Sequence, residues 1–374
     1  MIINRRSFLQ YASEGMLFLL GASSLTSCSG VRRDDLSRFD DRNELIRKLD
    51  KDEIEILYLA SLAPSGHNAQ PWMVRVVGPK HWIVGSDRSR WLPAVDPENR
   101  ELLLSIGAFM ENLIIAAGAH GYKADIQIIA KKRADTEIAD IRVKKNKPED
   151  EPGERIRKRR TVRSHFLEKE IKADDIKHLT RDLAENVAFF PKDSPQGKYL
   201  KEGTIEANRT QAFRDAAQWE LAHWIRWSNR DARKYRNGLT PESMEIEGIA
   251  GWFVRTFYNR KSVVKKSFRE QTVDRVAQQV QTCGGWFIIT SHDSSIPTVV
   301  ESGRKCERML LRTREKMIAI HPMTQMLEED PWKNRVAKEL GLTNEVQWVL
   351  RSGYLKSYPE PVSLRMPVSW LIQK

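Results

Sequence analysis

The sequence predicts an α+β chain that consists of two tandem halves, because one pair of elements recurs along it. Long helical patterns occupy residues 98–121 and 298–320, where apolar side chains recur every three or four positions. A strand-like apolar segment precedes each of them, at residues 82–84 in the first half and 286–289 in the second. A duplicated and diverged unit would leave such a repeat.

The two helical patterns also match residue by residue. When Gly107 is set against Gly303, Glu111 falls on Glu307, and the apolar positions after them coincide. The alternative is chance, since two buried helices share the same period without any common origin. We expect a pseudodimer formed within one chain, which is itself monomeric.

Composition limits the class of protein. The 374 residues are 40% hydrophobic and 30% charged, which is ordinary for a globular chain with one large core or two modest ones. The net charge of +12 favours anionic partners, but acidic residues are interspersed throughout, so we expect no nucleic-acid binding. The eight histidines are scattered and no Cys-x-x-Cys or His-Glu-x-x-His pattern occurs, so we expect no metal site.

The N-terminus is predicted to be a targeting segment. Residues 4–10 carry the paired arginines of a twin-arginine export signal, although Asn4 and Gln10 depart from its usual residues. The apolar run that follows is shorter than the roughly 20 residues that span a bilayer. Its end, Leu-Thr-Ser-Cys, resembles a bacterial lipobox with Cys28 as the lipidated residue. We expect a signal peptide at 1–27 and a periplasmic or cell-surface lipoprotein attached to a membrane. An uncleaved signal anchor and an ordinary cleavage site are the alternatives.

The remaining chain divides at a charged stretch with proline and glycine, residues 144–153. The polar, charged residues 28–50 are predicted to form a tether. We expect the first half at residues 51–150 and the second half at residues 151–374.

The second half is the longer one. Helices are predicted at residues 171–183 and at 207–237, the latter rich in tryptophan. Residues 238–270 mix glycines with aromatic residues and have no counterpart in the first half, so we expect an insertion that covers a site as a lid. An aromatic patch that packs on the neighbouring half is the alternative. The spacing of Cys283 and Cys306 leaves open whether they pair.

The run Ala63–Trp72 is the most informative local feature. It follows a predicted amphipathic helix at residues 51–62, and two prolines bound it. Between the prolines, Ser65, Asn68 and Gln70 supply neutral hydrogen-bonding groups beside a glycine. This loop suits a planar ligand with polar edges; an ordinary connection between helix and strand is the alternative.

A second cluster is basic. Arg159, Arg160 and Arg163 surround Thr161 near the start of the second half. Guanidinium groups bind phosphate oxygens in pairs, and a hydroxyl group adds one hydrogen bond. The cluster therefore favours a phosphate group as ligand; a solvated basic surface is the alternative.

These runs together resemble the FMN-dependent nitroreductase family, and most of all its tandem, single-chain Acg-like branch. The run Ala63–Trp72 resembles the family signature Ala-Pro-Ser-x-x-Asn-x-Gln-Pro-Trp, and residues 159–163 resemble its Arg-Arg-Ser-x-Arg motif, with Thr161 in place of serine. Gly353–Tyr354 and then Ser363–Val368 resemble its closing strand, whose basic residue binds the flavin phosphate. The resemblance covers about residues 51–374. It implies FMN contacts from Pro64, Ser65, Asn68, Gln70, Arg159, Arg160, Thr161, Arg163, Thr324, Gln325 and Arg365.

The resemblance also implies mixed sheets flanked by helices, with flavin bound between the halves. The loop occurs only in the first half and the arginine cluster only in the second, so we expect one complete FMN site. The implied activity is an oxidoreductase that passes two electrons through flavin N5 to a small-molecule acceptor. The electron donor is unknown, no catalytic side chain is singled out, and His67 is expected at the surface. A flavin-binding or flavin-sequestering protein without turnover is the main alternative, and a scaffold without ligand is a third.

Overall fold

The computed structural model describes residues 29–38, 40, 44–149 and 153–373. The predicted signal peptide and the predicted lipidation site, Cys28, lie outside these residues. The helices are α1 (Lys51–Ala60), α2 (Arg100–Ala119), α3 (Gly153–Lys158), α4 (Ala173–Leu179), α5 (Pro195–Phe213), α6 (Asp215–Trp224), α7 (Asn229–Tyr235), α8 (Gly248–Phe257), α9 (Arg260–Val263), α10 (Lys266–Gln279), α11 (Ile296–Arg312) and α12 (Val336–Glu339). The strands are β1 (Trp72–Gly78), β2 (His81–Ser86), β3 (Tyr122–Ile128), β4 (Glu137–Lys145), β5 (Val187–Pro191), β6 (Gly285–Ser291), β7 (Ile318–Pro322), β8 (Glu345–Tyr354) and β9 (Ile372–Gln373).

Each half contributes one sheet. The strand order is β3-β4-β2-β1-β9 in the first half and β5-β6-β8-β7 in the second. The short strand β9 runs parallel to β1, with Ile372 opposite Val74. Because β9 lies at the C-terminal end of the chain, the last residues of the second half complete the sheet of the first. Met366, Val368 and Leu371 are buried in the first-half core along the way.

The long helices α2 and α11 cross at a pair of glycines. An ideal Cβ atom on Gly107 would lie 2.0 Å from the Val300 carbonyl oxygen, and one on Gly303 would lie 2.1 Å from that of Leu104. The two backbones therefore touch, which only glycine permits. The matched positions Gly107 and Gly303 meet at the contact between the halves. Among the described residues, α2 is the one helix long and apolar enough to cross a membrane, and here it is mostly buried.

Two predicted helices differ from the structure. The helix predicted at residues 298–320 ends with α11, because Met317 takes a left-handed φ of 52° and the apolar residues after it pair with β8 as strand β7. The tryptophan-rich helix predicted at residues 207–237 is divided into parts of α5, α6 and α7, because the backbone is extended at Arg214 and Ile225. Helical periodicity continued across these breaks and therefore did not reveal them.

Two further predictions are corrected. The described part of the predicted tether packs against the body, where Val31, Ile46 and Leu49 are buried. The C-terminal run 363–368 is an irregular segment instead of a strand, although its apolar side chains are buried. In both places apolar residues spaced along a polar segment mark its contact with the core.

The other predicted elements occur where the patterns place them, as α1, β2, α2, α4 and β6. Strand β4 ends at Lys145 and helix α3 begins at Gly153, so the charged stretch between them connects the halves. Cys283 and Cys306 are free, buried thiols in separate apolar clusters.

Candidate functional site

The loop between α1 and β1 has an unusual backbone. His67, Asn68 and Gln70 adopt left-handed φ angles of 50°, 52° and 53°. Residues other than glycine rarely take this conformation, which costs of the order of 1 kcal/mol each. Tertiary contacts must therefore hold the loop in place, and such strain is typical of segments shaped for a ligand.

Asn68 connects the loop to two distant segments. Its Nδ2 donates to the carbonyl oxygens of Gly238, at 3.0 Å, and Leu364, at 3.1 Å. Its Oδ1 accepts from Nη1 of Arg365 at 2.9 Å. Asn68 lines the cleft described below, but its amide group is already engaged. It therefore positions Arg365 and the loop.

Gln70 does not reach the cleft. Its Nε2 donates to the carbonyl oxygens of Arg236 and Leu364, and its Oε1 accepts from the backbone amide of Met366 at 3.0 Å. The side chain is fully buried and its hydrogen-bonding groups are all satisfied. The prediction that Gln70 contacts a cofactor is therefore corrected, since Gln70 fastens the loop to the C-terminal segment.

A cleft with a basic wall, which we call the arginine cleft, lies beside this loop. Five arginines from three regions of the chain line it, and within the described part of the chain no carboxylate does. Such a wall favours an anion, because each guanidinium group can donate to it. The predicted residues that line the arginine cleft are Pro64, Ser65, Asn68, Arg159, Arg160, Thr161, Arg163 and Arg365.

Arg365 carries a charge that its protein partners leave uncompensated. Its guanidinium donates to Asn68 and to the carbonyl oxygens of Leu62, at 2.9 Å, and Ala63, at 3.0 Å. Its Nε has no partner among the described residues. Burial and the nearby Arg159 lower the pKa of Arg365 to about 9. An anion in the cleft would offset this unfavourable burial of charge.

Arg159 is held by the helix crossing. Its Nε lies 3.3 Å from Oε1 of Glu307 on α11, and its Nη2 donates to the Leu62 carbonyl oxygen at 3.2 Å. Glu307 is fully buried, and burial raises its pKa to about 7 although Arg159 opposes this shift. In the first half the matching Glu111 instead binds Arg304 and Arg308, both on α11. The two halves therefore differ at the cleft, because Glu307 pairs with an arginine of the cleft and Glu111 does not.

Arg163 stands where the arginine cleft meets two further cavities. Its Nη1 donates to the Ser243 carbonyl oxygen and its backbone amide donates to Oε1 of Glu245, both at 2.7 Å. Burial lowers the pKa of Arg163, and Glu245 opposes this. These contacts join the arginine cluster to the predicted insertion.

The first adjoining cavity, which we call the inner cavity, has a volume of about 210 Å³. It shares Pro64, Ser65, His67, Thr161 and Arg163 with the arginine cleft, so the two form one continuous space. Both halves build it. The remaining wall includes Leu104, Ser105 and Ala108 of α2, Cys306 of α11, and the predicted residues Thr324 and Gln325.

His67 was expected at the surface, but it is partly buried and lies in this shared wall. Its enclosure lowers the pKa of the imidazole to about 4, although Glu101 opposes this shift. The ring is therefore neutral at pH 7, and it can donate one hydrogen bond and accept another, with the tautomer deciding which nitrogen does which.

Two carboxyl groups meet at Thr324 inside the inner cavity. The Thr324 Oγ1 lies 2.7 Å from Oε1 of Glu101 and 2.9 Å from Oε1 of Glu328. Burial, and then the closeness of Glu101, raises the pKa of Glu328 well above its ordinary value. Burial and Glu101 also raise the pKa of Asp96 to about 7. Glu328 therefore keeps its proton to a higher pH than an exposed glutamate does.

The second adjoining cavity, which we call the lid cavity, has a volume of about 380 Å³ and shares His321 and Gln325 with the inner cavity. Residues of the predicted insertion form one wall of it and α10 forms another. Three buried polar atoms of residues in this wall have no hydrogen-bond partner among the described residues: Nδ1 of His321, Oε1 of Gln325 and Oδ1 of Asn208. The wall is otherwise largely apolar and includes Ile225, Trp227, Leu239, Met244, Val254, Tyr258 and Phe268.

Several residues of these cavities were not predicted. Arg33, from the predicted tether, lines the arginine cleft, and Glu101 and Glu328 line the inner cavity. Arg33 stands in an Arg-Arg-Asp run that was too weak a motif to single out. Glu101 and Glu328 lie in ordinary helical or turn sequence, so only the fold reveals that they meet.

Comparison with known proteins gives relatives that are named as nitroreductases. No protein-family model matches the chain. A protein of a Serratia species named as a probable NAD(P)H nitroreductase, PigM, is 24% identical over 316 residues, which cover 79% of this chain and 86% of that protein. The acg protein of Mycobacterium tuberculosis, which also carries the name of a nitroreductase, is 39% identical over 70 residues, or 18% of this chain. That match spans only 20% of the mycobacterial protein.

Among solved structures, the FMN-dependent nitroreductase NfnB from Mycobacterium smegmatis, in complex with NADPH, has a TM-score of 0.34 and 11% identity, covering 55% of this chain and 91% of that one. The sequence relationship with PigM extends over most of both chains and includes both halves. These relatives support the nitroreductase superfamily as the family of this chain.

Proposed function

We propose that the protein is an FMN-binding oxidoreductase of the tandem Acg-like branch, which passes two electrons to a small-molecule acceptor. The observation that carries this proposal is the arginine cleft, which is lined by five arginines and by no carboxylate among the described residues, and which shares wall residues with the inner cavity. A flavin mononucleotide has the matching shape, with a phosphate at one end and a planar ring at the other.

The residues present fit this group. Arg159, Arg160, Arg163 and Arg365 would hold the phosphate, and Thr161 would add its hydroxyl. Three charge-assisted hydrogen bonds contribute about 5–9 kcal/mol, whereas nanomolar binding needs about 12 kcal/mol. Burial of the ring in the inner cavity must therefore supply the remainder. When bound, FMN supplies two-electron chemistry at N5, and the protein binds it, orients it and excludes water.

The visible absorption spectrum of the purified chain tests the proposal. We expect a yellow protein that releases FMN when it is denatured, with one FMN per chain because the arginine cluster occurs once. A chain that is colourless as purified, and stays so after incubation with FMN and gel filtration, would contradict the proposal and favour a scaffold without ligand.

We also propose that the protein is exported by the twin-arginine route and anchored by a lipid at Cys28. That location would separate it from cytoplasmic NAD(P)H. The lid cavity supports a different donor, since it combines an apolar, aromatic wall with the partnerless polar atoms of His321, Gln325 and Asn208. A quinol matches this chemistry, and its oxidation to the quinone releases the two electrons and two protons that full reduction of FMN takes up.

A short-chain quinol is therefore expected to bleach the flavin absorbance under anaerobic conditions, and faster than NADH does. Met244→Trp should slow this reduction, because the larger side chain would occupy part of the lid cavity. Stopped-flow absorbance at the flavin maximum measures both rates. A flavin that is bound but reduced by neither donor would instead favour the alternative, a flavin-sequestering protein.

The carboxyl pair in the inner cavity predicts a pH dependence. Glu328 has a raised pKa, so it is neutral at low pH and acquires a negative charge as the pH rises through that pKa. The negative charge that Glu328 gains would repel the anionic cofactor. We expect FMN affinity to fall at alkaline pH in the wild type, and to fall less in Glu328→Gln, which keeps the neutral form. Titration of FMN fluorescence between pH 6 and 9 measures this, and equal slopes for both proteins would rule it out.

A further inference from the structure

Helix α8 presents an apolar face to solvent. Ile249 is 69% exposed, Trp252 41% and Phe257 58%, and helical spacing places all three on one side of the helix. The other large exposed apolar residues of the described chain are Val77, Phe213, Trp219 and Tyr235, each on a different helix or strand. An exposed apolar stripe of this kind marks an interaction surface.

The opposite face of α8 fixes the helix to the body. Gly251 is buried, where an added Cβ would lie 2.5 Å from the Ile246 carbonyl oxygen, and Val254 lines the lid cavity. Arg255 forms an ion pair with the buried Glu242. Since these contacts already hold the helix, the outer stripe is free to serve another purpose.

Basic residues follow the stripe directly. Arg260, Lys261, Lys265 and Lys266 are all exposed, and within the described part of the chain only Lys266 has an acidic partner in an ion pair, Glu270 at 3.7 Å. An amphipathic helix with large apolar side chains and adjacent positive charge is typical of segments that lie in the interface of an anionic bilayer.

The start of the described chain lies at the same place. The Ser29 carbonyl oxygen accepts from Asn229 Nδ2 at 3.2 Å, and Arg32 lies 3.9 Å from Glu247, the residue before α8. Gly30 packs against the carboxylate of Glu242, which also holds α8. Consecutive Cα atoms are about 3.8 Å apart, so a lipid on the preceding residue would be delivered beside this helix.

We propose that the outer face of α8, with the basic residues 260–266, docks on a lipid bilayer that contains anionic headgroups. The apolar side chains enter the acyl boundary while the lysines and arginine contact the headgroups. This surface backs directly onto the lid cavity through Val254 and Tyr258. Docking does not depend on bound flavin, so its test is separate from that of the proposed function.

Hydrogen–deuterium exchange of the full chain, with Cys28→Ser to remove the acyl anchor, locates the contact. Vesicles of phosphatidylcholine with phosphatidylglycerol are expected to slow exchange in peptides covering residues 248–266. Phosphatidylcholine alone, or 0.5 M salt, should slow it less. Exchange that is unchanged by vesicles would overturn the proposal. So would slowing that appears without vesicles as protein concentration rises, because a second copy would then be the occupant.

Substitutions test the two components of the surface. Trp252→Glu with Phe257→Glu should lower the vesicle-bound fraction about tenfold or more, whereas Val77→Glu, at a residue 47% exposed on β1, should not. Lys261→Glu with Lys266→Glu should remove the preference for anionic vesicles, and Lys123→Glu with Lys144→Glu on β3 and β4 is the matched control. Thermal melting confirms that each variant is folded. Vesicle binding equal to wild type in both the Trp252/Phe257 and the Lys261/Lys266 variants would refute the assignment.

Discussion

Arg163→Ala is expected to lower the affinity for FMN about 10- to 100-fold. Arg163 borders all three cavities and donates to the Ser243 carbonyl oxygen. Its replacement by alanine therefore removes a positive charge from the cleft and also removes a hydrogen bond to the predicted insertion. Hydrogen bonds to charged groups contribute about 1.5–3 kcal/mol, and each 1.4 kcal/mol is a factor of ten. Quenching of FMN fluorescence on binding measures the dissociation constant.

Two comparison variants make this result specific. Arg163→Lys keeps the charge but loses the paired donors, so its affinity for FMN should lie between that of the wild type and that of Arg163→Ala. Arg209→Ala removes an arginine whose side chain is 52% exposed and paired with Glu206, and its affinity should equal that of the wild type. If Arg163→Ala bound FMN as tightly as the wild type while folded, the phosphate would have to lie elsewhere.

Gly107→Ala is expected to destabilise the fold by about 3 kcal/mol, the upper range for overpacking a core. The added Cβ would lie 2.0 Å from the Val300 carbonyl oxygen, and a backbone atom in a buried helix cannot move aside as a side chain can. The two helices must separate, although alanine by itself favours a helix by about 1 kcal/mol over glycine. A lower midpoint of urea unfolding, followed by tryptophan fluorescence, would show the effect.

Gly118→Ala is the matched control within the same helix. Its Cβ would approach only the carboxylate end of Glu149, at 2.9 Å, which can rotate away. We therefore expect a midpoint close to that of the wild type. Gly303→Ala should behave as Gly107→Ala does and also weaken FMN binding, because it would displace Leu104, a wall of the inner cavity. Equal midpoints for Gly107→Ala and Gly118→Ala would show that the crossing tolerates side chains.

Much of the site was predictable from local sequence. The loop Ala63–Trp72 and the cluster 159–163 are contiguous motifs whose residue types indicate their ligand, and eight of the eleven predicted residues line the arginine cleft. Thr324 and Gln325 line the inner cavity. Gln70 was assigned wrongly because a buried amide that satisfies backbone groups has the same sequence signal as one that faces a ligand.

The sequence by itself predicted the two halves, the match of Gly107 with Gly303, and the residues of the loop and the arginine cluster, because these depend on local pattern. That the two glycines meet where α2 and α11 cross is seen only in the folded chain. Only the tertiary structure decided that β9 completes the sheet of the first half. It also brought Glu101 beside Glu328, carried Arg33 into the arginine cleft, and turned α8 outwards. Each of these depends on contacts between residues far apart in the chain, and hydrophobic periodicity records which side of an element is buried but not what covers it.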